Sequence, residues 1–334
     1  MGYLNFLALA GALMSVGLMF LNDRIGGYAS AWLSDFSATQ MPDLHGKVAL
    51  VTGGNTGIGK VTAVELARKG AHVIFTVRDE EKGVNALASM KEMLGEEAIV
   101  AKLDYGILEL SSLESVRSFA DWFLAKEIPL HMAILNAGVM ACPYTTTEDG
   151  FEMQFGVNHL GHFYLFKLLE AKLKESAPAR VLSVSSLAHY HPYEGGIRFD
   201  ALRSPDGYSE WGAYGQSKLA NVLFAFEAAE RLKGTGVSVN ALHPGAIATD
   251  LGRHLEKKLP ESGKKVLKAV VDTLLSMTPD QGALTQLYVA TMPAGAQTGL
   301  YFRPVGRTET PSELVFNETL RKQLWDISEG FIAD

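Results

Sequence analysis

Hydrophobic residues follow two alternating rhythms along this chain. Short runs rich in Val, Ile and Leu, such as Val48, Ala49, Leu50 and Val51, read as buried strands. Between them lie longer stretches whose apolar positions recur every three or four residues, the spacing of one helix face. From Lys47 onward the pattern predicts strands over 48–51, 71–77, 107–110, 130–135, 180–184, 237–242 and 298–302. It predicts helices over 61–69, 80–94, 113–126, 150–174, 211–233 and 312–329. The third strand is expected after a loop containing Asp104, Tyr105 and Gly106. Strands that alternate with helices of this length imply right-handed crossovers. The expected fold is α/β, a doubly wound parallel sheet with helices on both faces.

The first 21 residues follow neither rhythm. Residues 4–21 carry no charge and only two polar side chains, Asn5 and Ser15. About 20 such residues suffice to cross a bilayer as a helix. The expectation is an uncleaved transmembrane anchor over 1–21, a linker over 22–44 and one folded domain over 45–334. A cleaved signal peptide is the rival. Against it, no Lys or Arg precedes the run, and Tyr28 to Ala31 is a weak cleavage site. Asp23 and Arg24 nearly cancel just after the run, so charge barely specifies orientation.

Composition narrows the partners. The net charge of −7 offers nucleic acid no basic field. Cys142 is the single cysteine, so no disulfide forms within the chain. The nine histidines are scattered, without zinc-ligand spacing.

Ligands of parallel sheets sit beyond the carboxyl ends of the strands, so the residues just after each strand carry the chemistry. After the first strand come Gly53, Asn55, Thr56, Gly57, Ile58 and Gly59, followed by a helix. Strand, glycine turn and helix together make a phosphate cradle, closed by the positive end of the helix. After the second strand stands Arg78, where an NAD site usually carries an acid. A guanidinium there suits a 2′-phosphate, which favours NADP(H). Glu109 or Asp104 could reach the adenine edge, or either is a surface acid. Asn136, Ala137 and Gly138 form a small, open turn after the fourth strand, and Ser185 and Ser186 follow the fifth. Tyr214 and Lys218 are four residues apart, on one helix face. A neighbouring ammonium is expected to lower the phenol's pKa, so that Tyr214 exchanges a proton with a carbonyl oxygen while Ser186 holds that oxygen. Lys218 is also expected to bond the nicotinamide ribose.

In order along the chain, Thr52-Gly-x-x-x-Gly-x-Gly59, Asn136-Ala137-Gly138, Ser186, Tyr214-x-x-x-Lys218 and Pro244-Gly245 resemble the short-chain dehydrogenase/reductase family. The resemblance runs from about Lys47 to the C-terminal helix. It implies a single Rossmann domain, a nicotinamide cofactor and a Ser–Tyr–Lys site assisted by Asn158. In the family that Asn kinks the long helix and holds a water that relays protons to the Lys. The resemblance also places Ile247 and Thr249 over the nicotinamide carboxamide and pyrophosphate. Closer features are similar to the retinol dehydrogenase and WW-domain oxidoreductase branch: Gly54 to Lys60, Arg78, Asn158 to Phe163, Tyr214 to Asn221, and His243 to Gly245. This implies a single-pass membrane protein of the endoplasmic reticulum with its domain facing the cytosol, and it admits a homodimer. Glu109 departs from the branch, which generally has Asp there. Ser186 and Tyr214 stand 28 positions apart, longer than in plainer members, and this loop is expected to wall a substrate cleft. His189 and His191 within it are candidates for substrate contact or plain solvated residues.

In residues 249–278 the positions Leu267, Val270, Val271, Leu274 and Leu275 follow helical spacing, with lysines largely elsewhere. The segment is expected to rim an apolar cleft and dip into the headgroup layer; an ordinary core-facing helix is the alternative. The favoured function is an NADP(H)-dependent oxidoreductase interconverting a lipophilic alcohol and its aldehyde or ketone, retinoid-like by resemblance. Two rivals are a protochlorophyllide-type double-bond reductase and a membrane-tethered cofactor-binding scaffold without turnover. Asn136-Ala137-Gly138 and the single cysteine weigh against the first rival. The complete Ser186, Tyr214 and Lys218 set weighs against the second.

Overall fold

Val48–Val51 (β1) is buried along its whole length, which only a central strand with neighbours on both sides permits. The computed structural model pairs it in parallel with His72–Val77 (β2) and Met132–Leu135 (β4). The model describes residues 36–245, 247, 277–293 and 297–333. The expected anchor over 1–21, most of the linker over 22–44, Thr249 and nearly all of 249–278 lie outside the described residues. Among the described residues no helix is long and apolar enough to cross a membrane.

Among the described residues the sheet has eight strands in the order β3-β2-β1-β4-β5-β6-β7-β8. The others are Lys102–Ile107 (β3), Ala179–Val184 (β5), Val237–Leu242 (β6), Tyr301–Arg303 (β7) and Arg307–Glu309 (β8). All pairings are parallel except β7 with β8. Successive strand residues face opposite sides. Ala49 and Val51 therefore join one core with Gly57–Arg68 (α1), Glu80–Leu94 (α2) and Pro279–Thr291 (α6). Leu50 joins the other with Leu113–Leu124 (α3), Gly161–Glu175 (α4), Glu210–Arg231 (α5) and Glu318–Ile332 (α7). The chain order reverses between β1 and β4, which opens a crevice at their carboxyl ends.

Two expectations are corrected. The third strand runs earlier than expected: Asp104, Tyr105 and Gly106 lie inside β3, not in a loop before it. As an outer parallel strand, β3 keeps Lys102 and Asp104 exposed, which masked it as a loop. The long helix does not start at Gly150, whose φ of +81° no helix accepts. It begins with a turn at Met153–Phe155 capped by Glu152, widens to a π turn over Gly156–Leu160, and continues as α4. Strand β8 and helix α6 went unpredicted, one because it is three residues long and the other because its apolar positions wrap around it. The long loop before α5 is partly core: Ile197 and Leu202 are buried in the same cluster as Leu50.

His159, His162 and His189 are among the buried histidines. His159 is surrounded by Phe155, Phe163 and Phe224, and its pKa is pushed down to about 3 by burial. Burial pushes His162 and His189 down to about 4. Above pH 6.5 neither folded nor unfolded chain protonates these rings, so they do not alter stability. Below it the unfolded chain takes up protons that the folded chain refuses, and stability falls until about pH 4 for two rings and about pH 3 for the third. Each ring costs about 1.4 kcal/mol per pH unit once its unfolded form is protonated. Denaturation midpoints measured from pH 7 to 4.5 should fall steeply below pH 6.5. His159→Phe should flatten the curve, and a flat wild-type curve would contradict the burial of these rings.

Candidate active site

The glycine turn is built where β1 ends. Gly53 and Gly57 take φ of +62° and +55°, in the left-handed region that glycine occupies without strain. A Cβ on Gly59 would stand 2.4 Å from Asn136 Nδ2 and 2.5 Å from the Gly53 carbonyl oxygen, so only a bare backbone lets α1 approach. Helices α2, α3, α5, α6 and α7 have side-chain caps from Asp79, Ser112, Ser209, Thr278 and Asn317. The N-cap of α1, Thr56, makes no such bond. The leading N–H groups of α1 are thus not bonded by the cap side chain, an arrangement compatible with a pyrophosphate at this helix start.

Thr52 ties this turn to its surroundings. Its Oγ1 accepts from the backbone N–H groups of Asn136 at 2.8 Å and Ala137 at 3.0 Å. Asn136 Nδ2 donates to the Thr52 carbonyl oxygen at 2.9 Å, and Asn136 Oδ1 accepts from Gln286 Nε2 at 3.0 Å. Gln286 in turn accepts from Thr62 of α1. The turn after β4 is therefore braced by α1 and α6 together. A Cβ on Gly138 would stand 3.0 Å from Asn158 Oδ1 and 3.5 Å from Lys218 Nζ. Its bare backbone opens onto the space these two groups share.

Arg78 follows β2 directly and is exposed, without a hydrogen bond or ion pair to another described residue. It flanks the glycine turn, because Thr76 Oγ1 accepts from the Gly53 N–H at 3.2 Å. Asp79, the nearest acid, is spent capping α2 through the Lys82 N–H at 2.9 Å. Glu109 lies just after β3, and its Oε1 accepts from the Ser111 N–H at 3.1 Å. Asp104 is corrected away from an adenine contact: it sits in mid-strand opposite Ile74 and bonds His72 Nε2 at 2.8 Å.

Ser186, Tyr214 and Lys218 converge after β5. Tyr214 and Lys218 are buried on α5, and the Ser186 side chain stands close enough to the phenol to oppose the effect of burial on its pKa. Lys218 Nζ lies 5.8 Å from the Tyr214 ring centre and donates to the Val184 carbonyl oxygen at 3.1 Å. The Ser185 hydroxyl donates to the Lys218 carbonyl oxygen at 2.7 Å. The expected acidified phenol is not seen in the polypeptide alone. Burial pushes Tyr214 up to about 12, against the pull of Ser186, and pushes Lys218 down to about 8. Loss of water outweighs proximity here, because burial strips solvation from both charged forms.

Asn158 stands in the π turn, and its amide is fully engaged. Oδ1 accepts from the Val139 N–H at 2.8 Å; Nδ2 donates to the Val139 carbonyl oxygen and to Ser217 Oγ, each at 2.9 Å. Pro244 and Gly245 are buried after β6. Ile247 bridges to Met277 and rests, with Ile58, against Gly282 of α6. His189 is buried: Nδ1 donates to the Ser186 carbonyl oxygen at 2.7 Å and Nε2 accepts from the Ser312 N–H at 3.2 Å. His191 is exposed. The sequence reading assigned no role to Thr52, Ser217 or Gln286, since their partners are 59 to 224 positions away and leave no local spacing.

Residues 47–201 and 197–260 match the profile of the short chain dehydrogenase family. Retinol dehydrogenase 14 of Mus musculus is 43% identical over 297 residues, covering 87% of each chain. Retinol dehydrogenase 11 of Homo sapiens is 45% identical over 299 residues, covering 89% of each. Among solved structures, an uncharacterized protein from Mycobacterium Paratuberculosis superposes with a TM-score of 0.70 at 34% identity, covering 90% of this chain and 98% of that one. The chain belongs to the short-chain dehydrogenase family of nicotinamide-dependent oxidoreductases, in its retinol dehydrogenase branch.

Proposed function

We propose that the protein interconverts a lipophilic alcohol and its aldehyde or ketone with NADP(H), Tyr214 acting as acid and base. The observation that carries this reading is the convergence of Ser186, Tyr214 and Lys218 beside the bare backbone of Gly138, at the sheet's carboxyl edge. The nicotinamide, when bound, supplies or accepts hydride at the carbonyl carbon. Gly53 to Gly59 and the α1 N-terminus would hold its pyrophosphate, with Arg78 at the adenosine 2′-phosphate. Lys218 and Asn136 to Gly138 would hold the ribose. Tyr214 gives a proton to the substrate oxygen during reduction and takes it back during oxidation, while Ser186 orients that oxygen. Burial of Tyr214 and Lys218 keeps bulk water from the proton path.

Retinol is the substrate named by the relatives, and the apolar run of residues 4–21 fits delivery of such a molecule from a membrane. We read residues 1–21 as an anchor and Ile247 and Thr249 as caps over the nicotinamide. A panel of retinal, long-chain aldehydes and short polar carbonyls, each with NADPH and with NADH, tests this. Catalytic efficiency should be at least about tenfold higher for the lipophilic members with NADPH, the return on about two buried methylenes. Preference for short polar carbonyls, or for NADH, would overturn the assignment.

A further inference from the structure

His162 lies one helical turn beyond Asn158, fully inside the protein. Its two ring nitrogens reach in opposite directions. Nδ1 is 3.0 Å from the Asn158 carbonyl oxygen, and Nε2 is 2.9 Å from Thr52 Oγ1. A carbonyl oxygen can only accept, so Nδ1 carries the proton. The buried ring is neutral at pH 7, which leaves Nε2 bare, so the single Thr52 hydroxyl proton goes to it at 2.9 Å rather than to the Ile134 carbonyl oxygen at 3.5 Å. The Thr52 oxygen accepts at the same time from the Asn136 and Ala137 N–H groups, which uses all its capacity. The bonds thus form one directed chain: turn after β4, Thr52, His162, Asn158.

The chain ends where the helix is irregular. The π turn over Gly156–Leu160 shifts the backbone register, so the Gly161 N–H bonds Gly156. The imidazole reaches back to the Asn158 carbonyl oxygen in the widened turn. The Asn158 side chain in turn holds the Val139 backbone and Ser217, and the Ser217 hydroxyl donates to the Tyr214 carbonyl oxygen at 2.8 Å.

We infer that His162 is a positioning residue that joins the cofactor turn, through Thr52, to the π turn that presents Asn158 to the proton-transfer residues. The inference rests on the reading of Tyr214 as the proton donor. Its two arms separate by substitution. An Asn amide nitrogen falls near the place of Nδ1 and keeps the bond to Asn158, but cannot reach Thr52. A Gln amide oxygen falls near the place of Nε2 and keeps the bond from Thr52, but leaves Asn158.

His162→Asn should lose mainly in NADPH dissociation constant, and His162→Gln mainly in kcat, each by about tenfold, the worth of one hydrogen bond. Thermal midpoints are measured beside both constants. A purely structural role predicts that both variants lose both constants together, or neither, and either result overturns the inference. If the variants do not fold, ring nitrogen shifts of ¹⁵N-histidine in the wild-type chain decide. His162 should be the Nδ1–H tautomer, with an Nε2 resonance that moves when NADPH binds. The opposite tautomer, or a ring indifferent to NADPH, overturns it. Tyr214→Phe is assayed in parallel. Retained turnover there condemns the Tyr214 reading, whereas lost turnover without a split between the His162 variants condemns this inference alone.

Discussion

Tyr214→Phe should leave NADPH affinity within about twofold and lower kcat for carbonyl reduction by about 10²- to 10⁴-fold, the usual contribution of one positioned proton donor. The substitution removes a single oxygen from a ring packed edge-on against Trp211 at 6.1 Å, so the fold should persist. It leaves Ser186 able to hold a substrate oxygen that nothing protonates. Affinity survives because the glycine turn, Arg78 and the α1 N-terminus make none of their contacts through the phenol. The pH profile supplies an independent check. Reduction requires the phenol protonated and the neighbouring amine charged, since the ammonium stabilises the phenolate left behind. Lys218 loses its proton near pH 8, and the phenol keeps its own until about 12. Reductive kcat should therefore fall as pH rises through about 8, with the phenol still protonated above that point. Oxidation should instead rise with pH over the range where phenolate is scarce. Tyr214→Phe should abolish both limbs. Turnover retained in the variant, or identical limbs in both directions, would remove Tyr214 from the chemistry.

How much of this was legible in the chain depended on how local each feature is. The β1–glycine–α1 unit was readable because strand, turn and helix are contiguous and every residue carries its own reason. Tyr214 and Lys218 were readable because one helix turn fixes their spacing. The strand with Lys102 and Asp104 was misread, because an outer strand with exposed charges resembles a loop when its neighbour is unknown. The direction of the Tyr214 shift was misread for a similar reason: helical spacing reports proximity to a charge but not the depth of burial that opposes it. Thr52, His162 and Gln286 were unreadable as a group. Their bonds cross the sheet between α1, β4, α4 and α6, and sequence separation carries no trace of them. His189 was read as a candidate for substrate contact or a solvated loop residue, yet its buried ring links the Ser186 carbonyl to Ser312, 123 positions after it.

Arg78→Glu should weaken NADPH by about 10- to 100-fold, the loss of one charge-assisted hydrogen bond or slightly more. NADH should change by less than about threefold, or tighten, since a carboxylate at this place can accept from a ribose 2′-hydroxyl. The guanidinium makes no hydrogen bond or ion pair to another described residue and feels only a minor Coulombic attraction to Asp79, so its bond to a phosphate would not first have to break another. Asp79, one residue on, is held by the Lys82 backbone N–H and paired with the Lys82 ammonium. Its carboxyl stays below the usual carboxylate range chiefly because of that side-chain bond to Lys82. Recruiting Asp79 for a ribose would uncap α2, at a cost of about 1 kcal/mol. Because Arg78 is exposed, salt should erode the NADPH preference of the wild type, and the variant should lack that salt dependence. Titrating both nucleotides by fluorescence at two ionic strengths measures all four affinities. Equal changes for NADPH and NADH would show that Arg78 reads no 2′-phosphate and would overturn the proposed preference for NADP(H).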